Sequence, residues 1–407
     1  MTIGIDASRA EKKNKTGVEW YAFNVINDLV KTEQNNVQFI LYCQKKPNEW
    51  LKELGRRNNV KIKQLRWPCA FLWTQGRLSL EMLFNKIDKL FIPASAMPII
   101  HPKNTINTIH DVGFIKYPEA YGKWQLKYLK WSTKFAIKYT SKIITISEFS
   151  KKEIIKYFTP PAPPLSKGRN NLKDKIFVTH LACDTEKFKV INDEVKIRNV
   201  LTKYKIDAPY ILFVGRLEEK KNISNLIKAY ALFREWEIEN MDVIQKNIHT
   251  TPVPSLSKEG NEIKLPQLVL AGSKGYGWEK AEKIIQENNL QNDIILTDYV
   301  LEEDLPYLYN GAELFLFPSL YEGFGLPILE AMACRTPVIT SKTTSCPEIG
   351  GDAVQYVEPH NVQEIAEKIT EVLSDNDLRN ALCDRGLKRV EEFSWKKCGR
   401  ETLEIIS

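Results

Sequence analysis

Short apolar segments alternate with longer amphipathic segments from one end of the chain to the other. In the amphipathic segments, apolar residues recur every three or four positions, as they do on one face of a helix. This alternation predicts parallel β-sheets joined by crossover helices, which is an α/β fold. In the first half, the predicted strands are Ile3–Ala7, Val37–Cys43, Val60–Leu65, Leu90–Ile92, Asn104–Ile109, Ile143–Ile146 and Ile176–Thr179. In the second half, they are Tyr210–Val214, Leu268–Ala271, Ile294–Leu296, Leu314–Phe317, Val338–Thr340 and Val354–Val357.

A charged stretch near residues 185–205 separates the two series of strands. A chain of 407 residues is long enough for two domains that each bury a core. We therefore expect domains over residues 1–190 and 191–390, followed by a C-terminal helix over residues 391–407 for which Ser394 is the N-cap.

Composition changes this picture little, but it excludes some classes of protein. Hydrophobic residues make up 43% and charged residues 27% of the chain, which is typical of globular domains. No signal peptide pattern and no apolar run of membrane-spanning length is visible. The seven cysteines lack Cys-x-x-Cys spacing, so we expect reduced thiols and a cytoplasmic protein. The net charge of +7 suits a phosphorylated substrate or an anionic membrane surface.

Two segments rich in proline, serine and lysine do not fit the alternation. Residues 161–170 and 252–261 share Pro, Leu, Ser, Lys and Asn at the same offsets. We interpret both as inserts, over about residues 159–174 and 250–265, that lack packed structure. Acceptor-gripping loops are the functional alternative.

The segment from Glu322 to Glu330 carries the strongest functional signal. It follows the predicted strand Leu314–Phe317 and contains Gly323, Phe324, Gly325 and Leu326 before Pro327, which suits the first position of a helix. A strand, a glycine-rich turn and a helix N-terminus present backbone N–H groups to a phosphate or a sugar. A carboxylate on each side of that turn suits a nucleotide-activated sugar.

Other polar residues also follow predicted strands. Gly215, Arg216 and Lys221 lie in a loop between a strand and a helix, where basic side chains suit phosphate binding. His110 ends another strand and could position a sugar hydroxyl, although a structural histidine is the default. Gly17 begins a helix after a basic loop and would allow a diphosphate to approach closely.

Two patterns that resemble ligand sites are set aside. The glycines of residues 271–277 match neither the P-loop nor the dinucleotide fingerprint. Asp375 and Asp377 precede a helical pattern and are better explained as capping residues. No cluster of His, Cys and carboxylates has metal-ligand spacing, so we expect no metal cofactor.

Lysines recur every three or four residues between Tyr121 and Lys142. Lys123, Lys127, Lys130, Lys134, Lys138 and Lys142 form one helical stripe, flanked by Trp124, Tyr128, Trp131 and Phe135. Lysines beside aromatics are typical of helices on a membrane surface. A plain solvated face is the alternative.

With these residues assembled, the chain resembles the retaining glycosyltransferases of family 4, which have the GT-B fold. Gly-Arg-Leu-x-x-x-Lys-Asn over residues 215–222 resembles the donor phosphate motif of that family, and Glu322 and Glu330 resemble its Glu-x7-Glu motif. Residues 180–184, His-Leu-Ala-Cys-Asp, depart from the usual Asn-Gly-x-Asp pattern.

This resemblance implies two Rossmann-like domains facing a cleft, with the final helix crossing back to the first. It implies catalytic roles for His110, Arg216, Lys221 and Glu322. The donor-binding residues would be Gly17, Gly215, Gly323, Phe324, Gly325, Leu326 and Glu330.

The expected function is transfer of a hexose from a nucleoside-diphosphate sugar, with GDP-mannose favoured by likeness alone. The acceptor would be a glycan or lipid-linked saccharide of a cell-surface polysaccharide, and no nucleic acid is expected as a partner. A sugar-nucleotide 2-epimerase of the same fold and a non-catalytic sugar-nucleotide-binding scaffold are the alternatives. The expected location is cytoplasmic, with membrane contact through the lysine stripe.

Overall fold

A computed structural model describes the chain except for residues 13, 14, 16, 33–36, 69–71, 160–171, 247–256, 260 and 261. Side chains are not described for residues 240–246, 257–259 and 262–263. The chain divides into two compact units, one formed by residues 1–182 and 393–407 and the other by residues 183–392. Among the described helices, none combines the length and the apolar character that a membrane span requires.

The first unit is built on a parallel sheet with helices between its strands. Its strands are β1 (Thr2–Asp6), β2 (Gln38–Cys43), β3 (Val60–Gln64), β4 (Lys89–Ile92), β5 (Thr105–Thr108), β6 (Lys142–Thr145) and β7 (Ile176–Val178). Its first helices are α1 (Gly17–Lys31), α2 (Glu49–Leu54), α3 (Ser79–Phe84), α4 (Gly113–Lys116), α5 (Lys123–Tyr139), α6 (Glu148–Phe158) and α7 (Leu172–Lys175). In the described part of this unit, the strand order is β3-β2-β1-β4-β5-β6-β7.

The second unit repeats this architecture. Its strands are β8 (Tyr210–Val214), β9 (Ser257–Glu259), β10 (Glu262–Lys264), β11 (Gln267–Ala271), β12 (Ile294–Asp298), β13 (Leu314–Phe317), β14 (Val338–Ser341) and β15 (Gln355–Val357). Its helices are α8 (Glu194–Lys203), α9 (Ile223–Lys246), α10 (Trp278–Glu287), α11 (Leu305–Gly311), α12 (Leu326–Ala333), α13 (Cys346–Gly350), α14 (Val362–Ser374) and α15 (Asn376–Val390). Neighbouring strands pair in parallel in the order β12-β11-β8-β13-β14-β15. From β8, the chain adds β11 and β12 on one side of the sheet and β13, β14 and β15 on the other, so the strand order reverses between β8 and β13.

The last helix, α16 (Trp395–Ile406), belongs to the first unit and packs on α1. Gly399 permits this close approach, because a Cβ there would lie 2.7 Å from the Cβ of Asp28. Lys89 and Lys142 donate to the carbonyl oxygens of Ile406 and Ile405 at the end of the helix, where the helix dipole favours cations. The prediction that the final helix returns to the first domain is confirmed.

The predicted strands are all present, with ends that differ by at most two residues. Ser394 and Asp375 cap α16 and α15, as predicted, by accepting from the N–H groups of Lys397 and Leu378. One expectation was wrong: strands β9 and β10 pair as a small antiparallel hairpin inside the second insert. The pattern of prolines did not reveal it, because each strand is only three residues long. Residues 161–170 of the first insert lie outside the described residues.

Candidate functional site

Two loops meet at the point in the second sheet where the strand order reverses, between β8 and β13. Strand β8 leads into residues 215–222, and the adjacent strand β13 leads into residues 318–325. The carboxyl ends of parallel strands share one edge of a sheet, and ligands of open α/β sheets bind at the point of reversal. Strand order therefore brings together the two motifs that stood about a hundred residues apart in the sequence.

Glycine is required where the first loop leaves its strand. Gly215 has a φ of +149°, and Gly272, at the end of the neighbouring strand β11, has a φ of +153°. A Cβ on Gly272 would lie 1.9 Å from the carbonyl oxygen of Gly215. Gly275 and Gly277 pack against side chains of the same loop, including Arg216. The glycines of residues 271–277 thus allow two loops to pack closely. This packing role agrees with the prediction that they do not form a phosphate-binding loop.

The two basic residues of the first loop lie in different surroundings. The Arg216 side chain is 66% exposed, and its Nε lies 3.8 Å from Oε2 of the buried Glu218. The Lys221 side chain is only 16% exposed, and its Nζ lies 2.5 Å from Oε1 of Glu322. That ammonium group also lies 5.2 Å from the ring centroid of Phe317. Removing Lys221 would therefore leave a buried carboxylate without its counter-charge.

Backbone contacts join the two loops. The N–H of Leu320 donates to the carbonyl of Lys220 over 2.9 Å. Asn222 adopts a left-handed conformation with φ of 64°, and its side-chain amide donates to the carbonyls of Pro318 and Pro359. Asparagine tolerates this conformation better than most residues. The loops consequently form one hydrogen-bonded structure.

A buried serine stabilises the glycine-rich turn. The hydroxyl of Ser345 lies 3.0 Å from the carbonyl oxygen of Glu322 and 2.8 Å from that of Phe324. Gly325 has a φ of +103° and is the N-cap of α12, and the buried Gly323 precedes it in the turn. The prediction that Pro327 occupies the first position of a helix was wrong by one residue, because α12 begins at Leu326 and Pro327 is its second residue. Proline has no backbone N–H, and neither position needs one, because the first N–H groups of a helix have no intrahelical partner.

Glu330 lies inside α12, as predicted, and is partly buried. Its Oε2 accepts a hydrogen bond of 2.9 Å from the hydroxyl of Tyr309. Burial raises the pKa of Glu330 to about 7, although Tyr309 and the charge of Lys187 act to lower it. This carboxyl group can therefore change its charge near neutral pH.

The remaining predicted site residues lie in the first unit. His110 follows β5 and is buried, with Nε2 at 3.3 Å from the carbonyl oxygen of Pro93 and its ring edge against Tyr21. Burial lowers the pKa of His110, so the imidazole is neutral at pH 7. Asp111 accepts from the N–H of Gly113 and shapes the following turn. Gly17 begins α1, and a Cβ there would meet nothing within 4 Å.

The lysine stripe forms the outer face of α5. Lys123, Lys127, Lys130, Lys134 and Lys138 are all exposed, and so are Trp124, Tyr128 and Trp131. Lys142 lies beyond the helix and contacts the end of α16, so it does not belong to this face.

Sequence patterns did not identify Ser345 or Tyr309 as site residues. Both act through buried hydroxyl groups, on the turn and on Glu330 respectively, and serine and tyrosine are common in ordinary cores. Among the side chains that the structure describes, no group of three His, Cys, Asp or Glu residues could hold a metal ion.

Comparison with known proteins agrees with this geometry. The sequence model of the family described as "Glycosyl transferases group 1" matches residues 196–389, which include the two loops and α12. The chain is 32% identical to O-antigen chain mannosyltransferase B of Escherichia coli over 302 residues, covering 74% of this chain and 69% of that protein. It is 30% identical to the serotype-specific mannosyltransferase WbdA of Escherichia coli over 255 residues, but covers only 27% of that longer protein.

A similar fold occurs among solved structures. The sucrose-phosphate synthase of Thermosynechococcus elongatus superposes with a TM-score of 0.67, covering 99% of this chain and 97% of that one. Sequence identity is 17%, so this likeness concerns the fold alone. Together with the two parallel sheets, it agrees with the GT-B fold that the resemblance implied.

Proposed function

The chain belongs to the glycosyl transferases group 1 family and is therefore a glycosyltransferase, and we propose that it transfers mannose from a nucleoside-diphosphate mannose. The two Escherichia coli relatives, which are named as mannosyltransferases, support this choice of sugar. The proposed acceptor is a glycan or a lipid-linked saccharide in the synthesis of a cell-surface polysaccharide. A sugar-nucleotide 2-epimerase finds no support among these relatives.

The observation that carries this proposal is the pairing of Lys221 with Glu322 in the loop that also contains Arg216, at the point where the strand order reverses. A diphosphate in this position would place its negative charges near the guanidinium of Arg216 and the ammonium of Lys221. Both cations stabilise the charge that develops on the leaving phosphate as the bond to the sugar breaks. Lys221 is already held in place, so little reorganisation is needed when the donor binds.

We also propose a donor contact for each of the remaining site residues. Glu330 would accept hydrogen bonds from the ribose hydroxyls, while Glu322 and the backbone of residues 323–326 would hold the transferred sugar. His110 and Gly17 keep their proposed donor contacts on the family resemblance alone. The second unit would thus bind the donor, and the first would serve the acceptor.

The proposed reaction retains the configuration of the sugar. The bond between the anomeric carbon and the diphosphate oxygen breaks, and the acceptor oxygen bonds to the same face of that carbon. The acceptor proton passes to the leaving phosphate, which the reaction has made more basic. In this scheme Arg216 and Lys221 balance the diphosphate charge, and we propose that no divalent metal is required. An assay with excess EDTA checks this, and activity that vanishes and returns with Mg²⁺ or Mn²⁺ would contradict it.

A panel of sugar nucleotides tests the donor. A ligand that binds the folded state raises the melting temperature by mass action, so the true donor should stand out in a thermal shift assay. We expect GDP-mannose to give the largest shift and GDP alone a smaller one. Transfer of labelled mannose to a lipid-linked saccharide then tests the reaction. Donor turnover without any acceptor would favour the epimerase, and a shift only with other sugars would overturn the choice of mannose.

We propose a cytoplasmic location with peripheral contact to an anionic membrane. The exposed lysines of α5 suggest this contact.

A further inference from the structure

Helix α3 exposes an apolar face that its own unit does not cover. Leu80, Leu83 and Phe84 stand at positions i, i+3 and i+4 and so share one side of the helix. Leu83 is 53% and Phe84 77% exposed, whereas Met82 on the opposite side is buried. Clustered large apolar side chains on a protein surface commonly mark a site of interaction.

The loop after β4 connects this face to α5. The N–H groups of Ile99 and Ile100 donate to the hydroxyl of Ser79 over 2.9 and 3.3 Å, which places the loop beside the start of α3. Both isoleucines are exposed. His101 then packs its ring edge against Phe135 of α5, with centroids 6.1 Å apart. The three segments are therefore neighbours within one unit.

Helix α5 adds aromatic rings and positive charge. Trp124 is 84% exposed, and Trp131 stacks on Phe135 with centroids 5.5 Å apart. No acidic residue occurs between Lys123 and Lys142. The charges of the exposed lysines are thus not balanced within the helix, and they add to one positive field.

We propose that the exposed side chains of α3, residues 99–100 and α5, here called the α3–α5 surface, dock on an anionic lipid bilayer. The lysines would lie at the level of the lipid phosphates, and the tryptophans at the boundary of headgroups and acyl chains. Leu83 and Phe84 would enter the acyl region. The aliphatic content favours a bilayer over nucleic acid, and so does the absence of arginine from these segments, since arginine is favoured for contacts with nucleic acids.

This arrangement supplies two separable contributions to binding. Attraction between lysines and anionic lipids weakens as salt screens the charges. Burial of apolar side chains does not depend on salt in this way. The α3–α5 surface should therefore bind with a salt-sensitive and a salt-resistant part. The inference rests on the membrane contact of α5 proposed above and extends it to α3 and residues 99–100, but it does not depend on the proposed donor or acceptor.

Co-sedimentation of the full chain with vesicles tests both parts. We expect binding to vesicles of phosphatidylcholine mixed with phosphatidylglycerol, and much weaker binding to phosphatidylcholine alone. Replacing Lys127, Lys130, Lys134 and Lys138 with Gln should lower binding at low salt by at least about tenfold. Equal binding of wild type and this variant, or no binding by either, would overturn the proposal.

A matched variant controls for net charge. Lys274, Lys280, Lys283 and Lys388 are exposed lysines of the second unit, and their replacement by Gln removes the same total charge. This control should bind vesicles as the wild type does. A loss equal to that of the α5 variant would show that only net charge matters, and it would overturn the assignment of a surface.

The apolar part is tested at about 0.5 M salt, where electrostatic attraction is largely screened. Leu83→Ser combined with Phe84→Ser should lower the residual binding about tenfold, while the four-lysine variant should match the wild type there. Phe84→Ser alone should also lower the residual binding. Phe84 is the most exposed of Leu80, Leu83 and Phe84, so this single change carries the least risk to folding. Unchanged residual binding in both apolar variants would contradict insertion. RNA binding as tight as vesicle binding would also contradict the choice of a bilayer.

Discussion

The cations of the second unit's loops and those of α5 differ in what surrounds them. Arg216 and Lys220 lie 3.8 and 3.0 Å from carboxylate oxygens of Glu218, and Lys221 lies 2.5 Å from Glu322. On α5, none of the described lysines forms an ion pair, and the helix contains no acidic residue. Cations held by carboxylates suit one ligand in one pose, whereas cations without such partners suit an extended charged surface.

Burial explains this difference. A charge that leaves water needs a partner, so the partly buried Lys221 is paired with Glu322. An exposed lysine stays hydrated and needs none. The loops therefore combine high positional order with little net charge, and α5 combines high net charge with little order. Each property can be tested by removing it.

The largest effect should come from Lys221→Ala. Loss of a cation opposite a developing anion should lower kcat by about a hundredfold to a thousandfold. Steady-state kinetics with the identified donor measure this. Arg216→Ala should act in the same direction with less effect on stability, because that side chain is mostly exposed. Turnover within about tenfold of the wild type in both variants would contradict the diphosphate assignment.

A double variant separates catalysis from folding. Lys221→Ala alone leaves Glu322 buried and unpaired, so its melting temperature should fall. Adding Glu322→Gln removes that charge and should recover much of the stability without recovering activity. Recovery of activity together with stability would show that Lys221 acts only as a structural partner.

The next effect distinguishes the two glutamates. Glu330→Gln should weaken nucleoside diphosphate binding, because a ribose contact exists in the ground state and in the transition state alike. Glu322→Gln should lower kcat more than it changes KM. Titration with the free nucleoside diphosphate provides the comparison. The reverse pattern would mean that the donor lies in the opposite direction along the turn.

The raised pKa of Glu330 gives this prediction a dependence on pH. Its carboxyl ionises near pH 7 in the folded protein but near its ordinary value of 4.5 when unfolded. The folded state therefore binds more protons between these values, and the contribution of Glu330 to stability falls as pH rises through 7. Ribose hydroxyls donate to the ionised form, so donor affinity should rise over the same range. Both trends should be absent from Glu330→Gln, and their persistence would exclude Glu330 as their source.

A smaller effect should follow from Ser345→Ala. The change removes the hydroxyl between the carbonyls of Glu322 and Phe324 and should cost about 1–3 kcal/mol of unfolding free energy. If the turn must be held for donor binding, affinity for the donor should fall several-fold, and Ser345→Thr should restore part of it. An unchanged affinity with lowered stability would limit Ser345 to folding.

The smallest effect should come from shortening both inserts. Removing residues 161–170 and 252–261 with short joins should leave the melting temperature and donor affinity nearly unchanged, since loop length enters stability only logarithmically. The second deletion removes β9, which pairs with β10 and with no strand of the second unit's parallel sheet. A large drop in donor affinity would show that the inserts belong to the binding loops.

Sequence patterns were sufficient to predict the strands, the helix caps at Ser394 and Asp375, and the motifs around Arg216 and Glu322. These features depend on periodicity and on interactions between residues a few positions apart, which can be read locally. The tertiary structure was needed to show that Lys221 contacts Glu322, that Ser345 holds the turn, and that residues 99–101 link α3 to α5. Such contacts depend on strand order and on packing between distant segments. The pKa of Glu330 belongs to the same group, because burial and Tyr309 set it and neither is visible in the motif.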